Sequence, residues 1–397
     1  MSAPRTKKPQ VQLRRPIERS ISSGHPWVYG EALEPAPGLA LGADVELLTR
    51  NGRPMARGLY DPGSPLALRV YTLDPREPID AALVRRRLDL ALQTRLLLFD
   101  RATTSAFRWC NGEGDRLPGV VVDLYDTVAV VRYDGAAVRV LSRSVVQAVR
   151  SIAEDRGLPI THVYERSRGG VGEALFGGDP PGHVAILEHG VRLSVDVLRG
   201  QKTGFFLDQR ENRRRIRALS AGKRVANLFS YTGGFSVNAA LGGATEVTSV
   251  DIAPAAIDAA RAHFADNGLD PAAHAFAATD AFAWLEGQKQ AKARYDLIVT
   301  DPPSFAPSER ALDAALAAYR DLNAAALSLL PEGGLLAAAS CSSHVDMEAF
   351  CGALGEAARQ ERRALTVLEA HGQPLDHPSP PGFPEGRYLK LVLCRAG

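Results

Sequence analysis

The chain has 397 residues, 45% of them hydrophobic and 23% charged, with a net charge of +2. That length suggests two or three domains, and a chain this apolar can build at least one full core. Bulk charge alone does not announce a nucleic-acid partner, although charge is uneven at the start.

There, Arg5, Lys7, Lys8, Arg14, Arg15 and Arg19 stand against Glu18 alone. This suits a phosphate-contacting arm or a solubilising tail. The basic stretch is followed by no apolar h-region, and no apolar run reaches transmembrane length. A cytoplasmic protein with no membrane partner is expected. The four cysteines, Cys110, Cys341, Cys351 and Cys394, form no C-x-x-C pair, so neither structural zinc nor a disulfide framework is expected.

Residues 1–75 read as all-β. Val11 to Arg15, Trp27 to Tyr29, Asp44 to Leu48 and Leu66 to Tyr71 are short extended runs, punctuated by Gly, Pro and Asn51-Gly52, and a small barrel is expected. His25-Pro26-Trp27-Val28-Tyr29 invites base stacking, with core packing the stronger reading for Trp27. Residues 76–187 read as a small α+β unit. Ile79 to Phe99 is an amphipathic helix interrupted by Arg85-Arg86-Arg87, a pattern that fits a solvated face better than an RNA contact. Val120 to Val122 and Val128 to Val131 flank Asp126 as a hairpin. Val138 to Ile152 is a second helix, and Thr161 to Glu165 and Ala185 to Val195 add strands. Cys110 reads as a buried strand thiol.

Residues 188–397 alternate strictly between strand and helix, which predicts a doubly wound α/β sheet with a late antiparallel strand. Val225 to Phe229 is a buried parallel strand, Thr232-Gly233-Gly234 a sharp turn open to a ligand, and Phe235 to Leu241 a short helix. Glu246 to Val250 is the next strand and ends at Asp251. A carboxylate there is placed to hold both hydroxyls of a ribose. The G-x-G-x-x-G spacing of a dinucleotide site is absent, so S-adenosylmethionine fits better. Later strands end at Asp280, at Asp301-Pro302-Pro303-Ser304-Phe305 and at Ser340-Cys341-Ser342. Asp251, Asp280, Asp301 and Cys341 are therefore expected on one rim. The double proline stiffens its loop, and Phe305 is placed to stack nearby. Cys341, just before a helix and among polar neighbours, reads as a nucleophile whose thiol the helix field would activate.

With these motifs in place, the whole chain resembles the RlmI-like family. These are bacterial class I methyltransferases that make 5-methylcytosine in 23S ribosomal RNA. The resemblance rests on Gln201 to Asn212, Asn227 to Ser236, Asp301 to Phe305, Ser340 to Ser342 and Pro384 to Lys390. It implies a PUA-like RNA-binding barrel (1–75), a middle domain (76–187) and a Rossmann-like catalytic domain (188–397) whose seven-stranded sheet has its last strand antiparallel. It implies S-adenosylmethionine as cofactor, held by Phe206, Asp208, Asn227, Phe229, Ser230, Tyr231, Gly233, Asp251, Ile252, Asp280, Ala281, Asp301 and Pro302. It also implies Cys341 as nucleophile on C6 of cytosine and Asp301 as its partner at N3 and the exocyclic amine. Many relatives that act on RNA cytosine carry a second cysteine after the double proline, where this chain has Ser304. The expected partner is RNA, either 23S or a large-subunit precursor, with a homodimer also open. Methylation of guanine, or RNA binding without catalysis, are the competing readings.

Overall fold

The computed structural model of the protein describes residues 9–167, 172–306 and 308–397. Arg5, Lys7 and Lys8 of the basic arm lie outside them. The chain divides into two compact units. The first comprises Met1–Ile186, Val195–Phe205 and Leu375–Gly386, and the second Leu187–Ser194, Phe206–Pro374 and Arg387–Gly397.

The first unit holds two five-stranded sheets. One, in the order β1-β3-β4-β5-β2, is built from β1 (Gln10–Gln12), β2 (Trp27–Val28), β3 (Ala43–Leu48), β4 (Pro54–Tyr60) and β5 (Leu68–Thr72). It surrounds a core that includes Val11, Leu13, Val45, Leu47 and Leu68. The all-β expectation needs two corrections. A short helix, α1 (Glu18–Ser22), interrupts the strands, and β4 lies where no strand was expected. Pro54 and Gly58 weaken its propensity, but its middle is buried between β3 and β5, and burial decides. Trp27 is half-buried, packs edge-on against Phe383 at 4.6 Å, and its ring N–H donates to Glu113 at 2.9 Å.

The other sheet has the order β10-β9-β8-β7-β6. Its strands are β6 (Ala106–Asn111), β7 (Val120–Tyr125), β8 (Val128–Tyr133), β9 (His162–Glu165) and β10 (Glu173–Phe176). Helices α2 (Ala81–Leu98) and α3 (Ser142–Asp155) share its core with Trp109, Cys110 and Val122. Asp126 turns the β7–β8 hairpin in the left-handed region, at φ 53°. Cys110 is fully buried and burial pushes its thiol up, as a structural cysteine requires. Arg85 and Arg86 pair with Asp155 and Glu77, and Arg87 donates to the Tyr71 carbonyl at 2.7 Å. A hairpin of β11 (His183–Glu188) and β12 (Val191–Asp196) follows, turned by His189 and Gly190 with φ of 47° and 79°.

The second unit is built on β13 (Arg224–Leu228), β14 (Glu246–Asp251), β15 (Ala275–Ala278), β16 (Leu297–Thr300), β17 (Leu335–Ser340), β18 (Leu365–His371) and β19 (Lys390–Ala396). Their order is β15-β14-β13-β16-β17-β19-β18. The first five are parallel neighbours, and β19 runs antiparallel between β17 and β18. The central strands are buried because helices cover both faces, and they are mostly Val, Ile, Leu and Ala, with Asn227, Thr248 and Ser249 as buried polar exceptions. Those helices are α4 (Arg210–Leu219), α5 (Gly234–Leu241), α6 (Pro254–Asp266), α7 (Ala281–Gln290), α8 (Leu312–Ser328) and α9 (Met347–Gln360). No helix among the described residues is long and apolar enough to cross a membrane.

Candidate active site on the carboxyl rim of the seven-stranded sheet

Because β13 to β17 are parallel, their carboxyl ends meet on one rim. The four expected groups are there. Asp251 closes β14, Asp280 lies two residues past β15, and Asp301 and Cys341 each directly follow β16 and β17. Neighbouring strands lie ~4.8 Å apart. Asp301 and Cys341 are thus on adjacent strands, and Cys341 is two strand spacings, ~10 Å, from the loop after β13.

That loop is strained. Phe229 and Tyr231 have φ of 56° and 47°, left-handed conformations that cost ~1–3 kcal/mol each for such side chains. Backbone pairing over-determines them. Ser230 N–H donates to the Val250 carbonyl at 2.9 Å and Tyr231 N–H to Asp251 Oδ2 at 2.8 Å. Asp251 Oδ1 accepts from Ala253 N–H at 2.9 Å. One carboxylate thus fixes two loops, and each oxygen keeps a lone pair for a ligand. Gly233, at φ 76°, makes the sharp turn read in the sequence and is required for a second reason. A Cβ there would lie 2.7 Å from the Ala260 Cβ on α6, so packing under the loop, as well as the turn, demands the glycine. Asn227 donates to Ser236 Oγ at 2.9 Å and so ties β13 to the start of α5.

Three buried polar atoms around this loop have no partner among the described residues: Asn227 Oδ1, Ser230 Oγ and Thr232 Oγ1. Each such atom costs ~1–3 kcal/mol unless something satisfies it. Three at one strand end mark a place built for a polar ligand.

Phe206 stands edge-on to Tyr231, with centroids 5.4 Å apart. Its carbonyl accepts from Arg213 Nη2 at 3.0 Å, while Arg213 makes a buried bidentate pair with Glu188 at 2.6 and 2.5 Å. Asp208 is buried and accepts from the Tyr388 hydroxyl at 2.7 Å. On the far side, Asp280 caps α7 through one oxygen, which accepts from Phe282 and Ala283 N–H at 2.9 and 3.0 Å. Ala281 is buried beneath it. Ile252 and Phe282 are 71% and 40% exposed, two large apolar side chains left open at the rim.

Asp301 Oδ1 accepts from Gln209 Nε2 at 2.9 Å. Pro302 is buried, whereas Pro303 and Ser304 are exposed. Phe305 departs from expectation: it packs on Tyr319 at 4.9 Å and joins the apolar core. Cys341 is half-buried and forms no disulfide. Ser340 before it donates to the Tyr319 hydroxyl at 3.0 Å. Burial, and then the neighbouring Cys341 and Asp301, push that hydroxyl up to about 12.

The helix field expected at Cys341 is not supplied directly. Helix α9 starts six residues later, and its first turn is capped by Asp346, which accepts from Ala349 N–H at 2.8 Å. The positive charge beside Cys341 comes instead from Lys390, only 3% exposed, whose Nζ donates to the carbonyls of Ser342 (2.6 Å), Tyr388 (2.7 Å) and Val345. Burial pulls this lysine down to about 8, against the opposing pull of Cys341 and Asp346. His344 points to solvent.

A family model described as S-adenosylmethionine-dependent methyltransferase matches residues 115–385, and one for a PUA-like domain matches residues 11–73. "Ribosomal RNA large subunit methyltransferase" of Deinococcus radiodurans is 41% identical and covers 100% of both chains. "Ribosomal RNA large subunit methyltransferase I" of Alteromonas mediterranea is 36% identical over 97% of this chain and 98% of its own. The chain belongs to this methyltransferase family. A crystal structure of a methyltransferase complexed with SAH superposes with a TM-score of 0.86 at 26% identity, over 98% of this chain and 100% of that one. The residues present fit the family's cofactor: a carboxylate, Asp251, at the end of β14, orphaned polar atoms at Ser230 and Thr232, and open apolar side chains at Ile252 and Phe282.

Sequence reasoning missed Gln209, Arg213, Glu188, Tyr388 and Lys390 as parts of this site. The signal was present for Lys390, a lone charge in the apolar run Leu389 to Leu393.

Proposed function

We propose that the protein methylates C5 of a cytosine in 23S ribosomal RNA from S-adenosylmethionine, through a transient bond between Cys341 and the base. The observation that carries the reading is the placement of Asp301 and Cys341 on adjacent strand ends, two strand spacings from the β13 loop. A thiol, a carboxylate and a cofactor loop on one rim are what C5 chemistry needs, whereas a guanine nitrogen needs no thiol.

In this reading Phe229, Ser230, Tyr231, Gly233 and Asn227 shape the methionine end of the pocket with Phe206 and Asp208. Asp251 holds the ribose, and Asp280 the adenine amine between Ile252, Ala281 and Phe282. Pro302 stiffens the loop on which Asp301 meets the base. The Cys341 thiolate adds its electron pair to C6, and the electrons of the C5–C6 double bond move towards C5 and N3. Asp301, steadied by Gln209, accepts from the exocyclic amine with one oxygen and shares a proton with N3 through the other, which stabilises the developing charge. S-adenosylmethionine held in the pocket would supply an electrophilic methyl group to C5, its sulfonium–methyl bond breaking to leave S-adenosylhomocysteine. A water or Asp301 then removes the C5 proton, since Ser304 cannot do so as a thiolate would. The double bond re-forms and the thiolate leaves. The target base must first leave its stack, at a few kcal/mol in a duplex (about ~2–4) and less in a single strand. The PUA-like region is assigned to presenting the RNA, in the three-part division 1–75, 76–187 and 188–397.

The test is mass spectrometry of nucleosides from 23S RNA incubated with S-adenosylmethionine and the protein. 5-Methylcytidine is expected with the wild type and none with Cys341→Ala, whose cofactor affinity by calorimetry stays unchanged. Full activity in Cys341→Ala, or methylguanosine as product, would refute the proposal.

A further inference from the structure

We infer that Lys390 is a positioning residue: it clamps the segment that carries Cys341 and keeps the sulfur ionised at neutral pH. Its consequence for catalysis rests on the reading of Cys341 as nucleophile; its consequence for the thiol does not.

The register places Lys390 directly opposite Ser340, the last residue of β17, so Cys341 is one residue beyond that pair. An ammonium has three N–H donors and no acceptor. All three are matched by carbonyls. Those of Ser342 and Val345 bracket the turn after Cys341, and that of Tyr388 lies on the approach to β19. The ammonium thus gathers the turn following the sulfur onto the neighbouring strand. An apolar residue, which the strand pattern would ask for, leaves the buried carbonyls of Ser342 and Val345 and the part-buried one of Tyr388 without that donor, and removes the ammonium charge. A nearby opposite charge favours the ionised form of a thiol. The charged groups that bear on Lys390 are Cys341 and Asp346. Because Lys390 titrates near 8, its charge is present below that pH and lost above it.

Carbamidomethylation of Cys341 by iodoacetamide, followed on its own peptide by mass spectrometry across pH 6–10, tests this in the full-length protein. Lys390→Met is expected to slow labelling at pH 7 by ~10-fold, by raising the thiol's apparent pKa about one unit. Lys390→Arg, which keeps the charge at all these pH values, is expected to restore most of the rate. It should also move the alkaline limb of methyl transfer, near pH 8 in the wild type, upwards. S-adenosylmethionine binding by calorimetry reports whether each variant is folded. If folded Lys390→Met labels with the wild-type pH profile, the inference is wrong. If that variant does not fold, Lys390→Arg decides, and an unmoved alkaline limb in methyl transfer overturns the inference. Activity retained in Cys341→Ala would sink the nucleophile reading while leaving the labelling comparison to stand or fall by itself.

Discussion

Arg213 and Glu188 offer the sharpest test of how the cofactor pocket is held. The pair is bidentate, and both side chains are under 4% exposed. Replacing Arg213 by Met leaves the Glu188 carboxylate buried without its partner, which costs ~3–5 kcal/mol. For a unit of this size 1 kcal/mol shifts the midpoint by roughly 2–4 °C, so a fall of about 6–20 °C is expected in the transition that carries the second unit. The double variant Glu188→Leu/Arg213→Met removes both charges and is expected to regain most of that stability. It does not restore the donor to the Phe206 carbonyl, 3.0 Å from Arg213 in the native protein. S-adenosylmethionine affinity should therefore stay low in the double variant after stability has returned. Scanning calorimetry reads the first quantity and isothermal titration the second. The reasoning is refuted if affinity and stability recover together, because the pair would then act on the pocket only through folding.

Other expectations follow from single contacts. Gly233→Ala forces a left-handed alanine against Ala260 and should lower stability by ~2–4 kcal/mol in urea denaturation, with a matching fall in soluble yield. Asp251→Asn keeps a loop acceptor but loses the charge. Isothermal titration should show S-adenosylmethionine binding weakened ~10–100-fold. Tyr388→Phe removes the hydroxyl from Asp208 and leaves the Tyr388 carbonyl on Lys390. It should raise the apparent KM for S-adenosylmethionine while Cys341 labelling stays at the wild-type rate.

The second unit was legible in the sequence because its strands are short apolar runs and its turns carry Gly or Pro. Pro254 opens α6, and Gly242 and Gly243 follow α5, where they were read. Asp251, Asp280, Asp301 and Cys341 could be grouped because parallel strands put every carboxyl end on one side. The supports behind them were not legible. Arg213 and Glu188 are 25 residues apart, and Tyr388 and Asp208 are 180 apart. Only tertiary pairing reveals such distances. Helix α4 was missed because Arg210 to Arg215 carry charges that look solvated, although Arg210 and Arg213 are buried. Helix α1 and strand β4 were missed because short elements depend on packing more than on propensity. Phe305 was read as placed to stack near the stiff loop after β16, and its packing on Tyr319 could not be read from the sequence.

The reversed direction of β19 has an effect on timing. The other strands bring their ends to the rim, but this one brings its beginning, with Lys390 as its first residue. A growing polypeptide can therefore pair β13 to β17 while the sulfur still sits on an untethered turn. Only when the final strand slots between β17 and β18 does the ammonium arrive to gather that turn. In the proposed reading, the turn that carries the attacking sulfur is therefore the last part of the rim to be tied down.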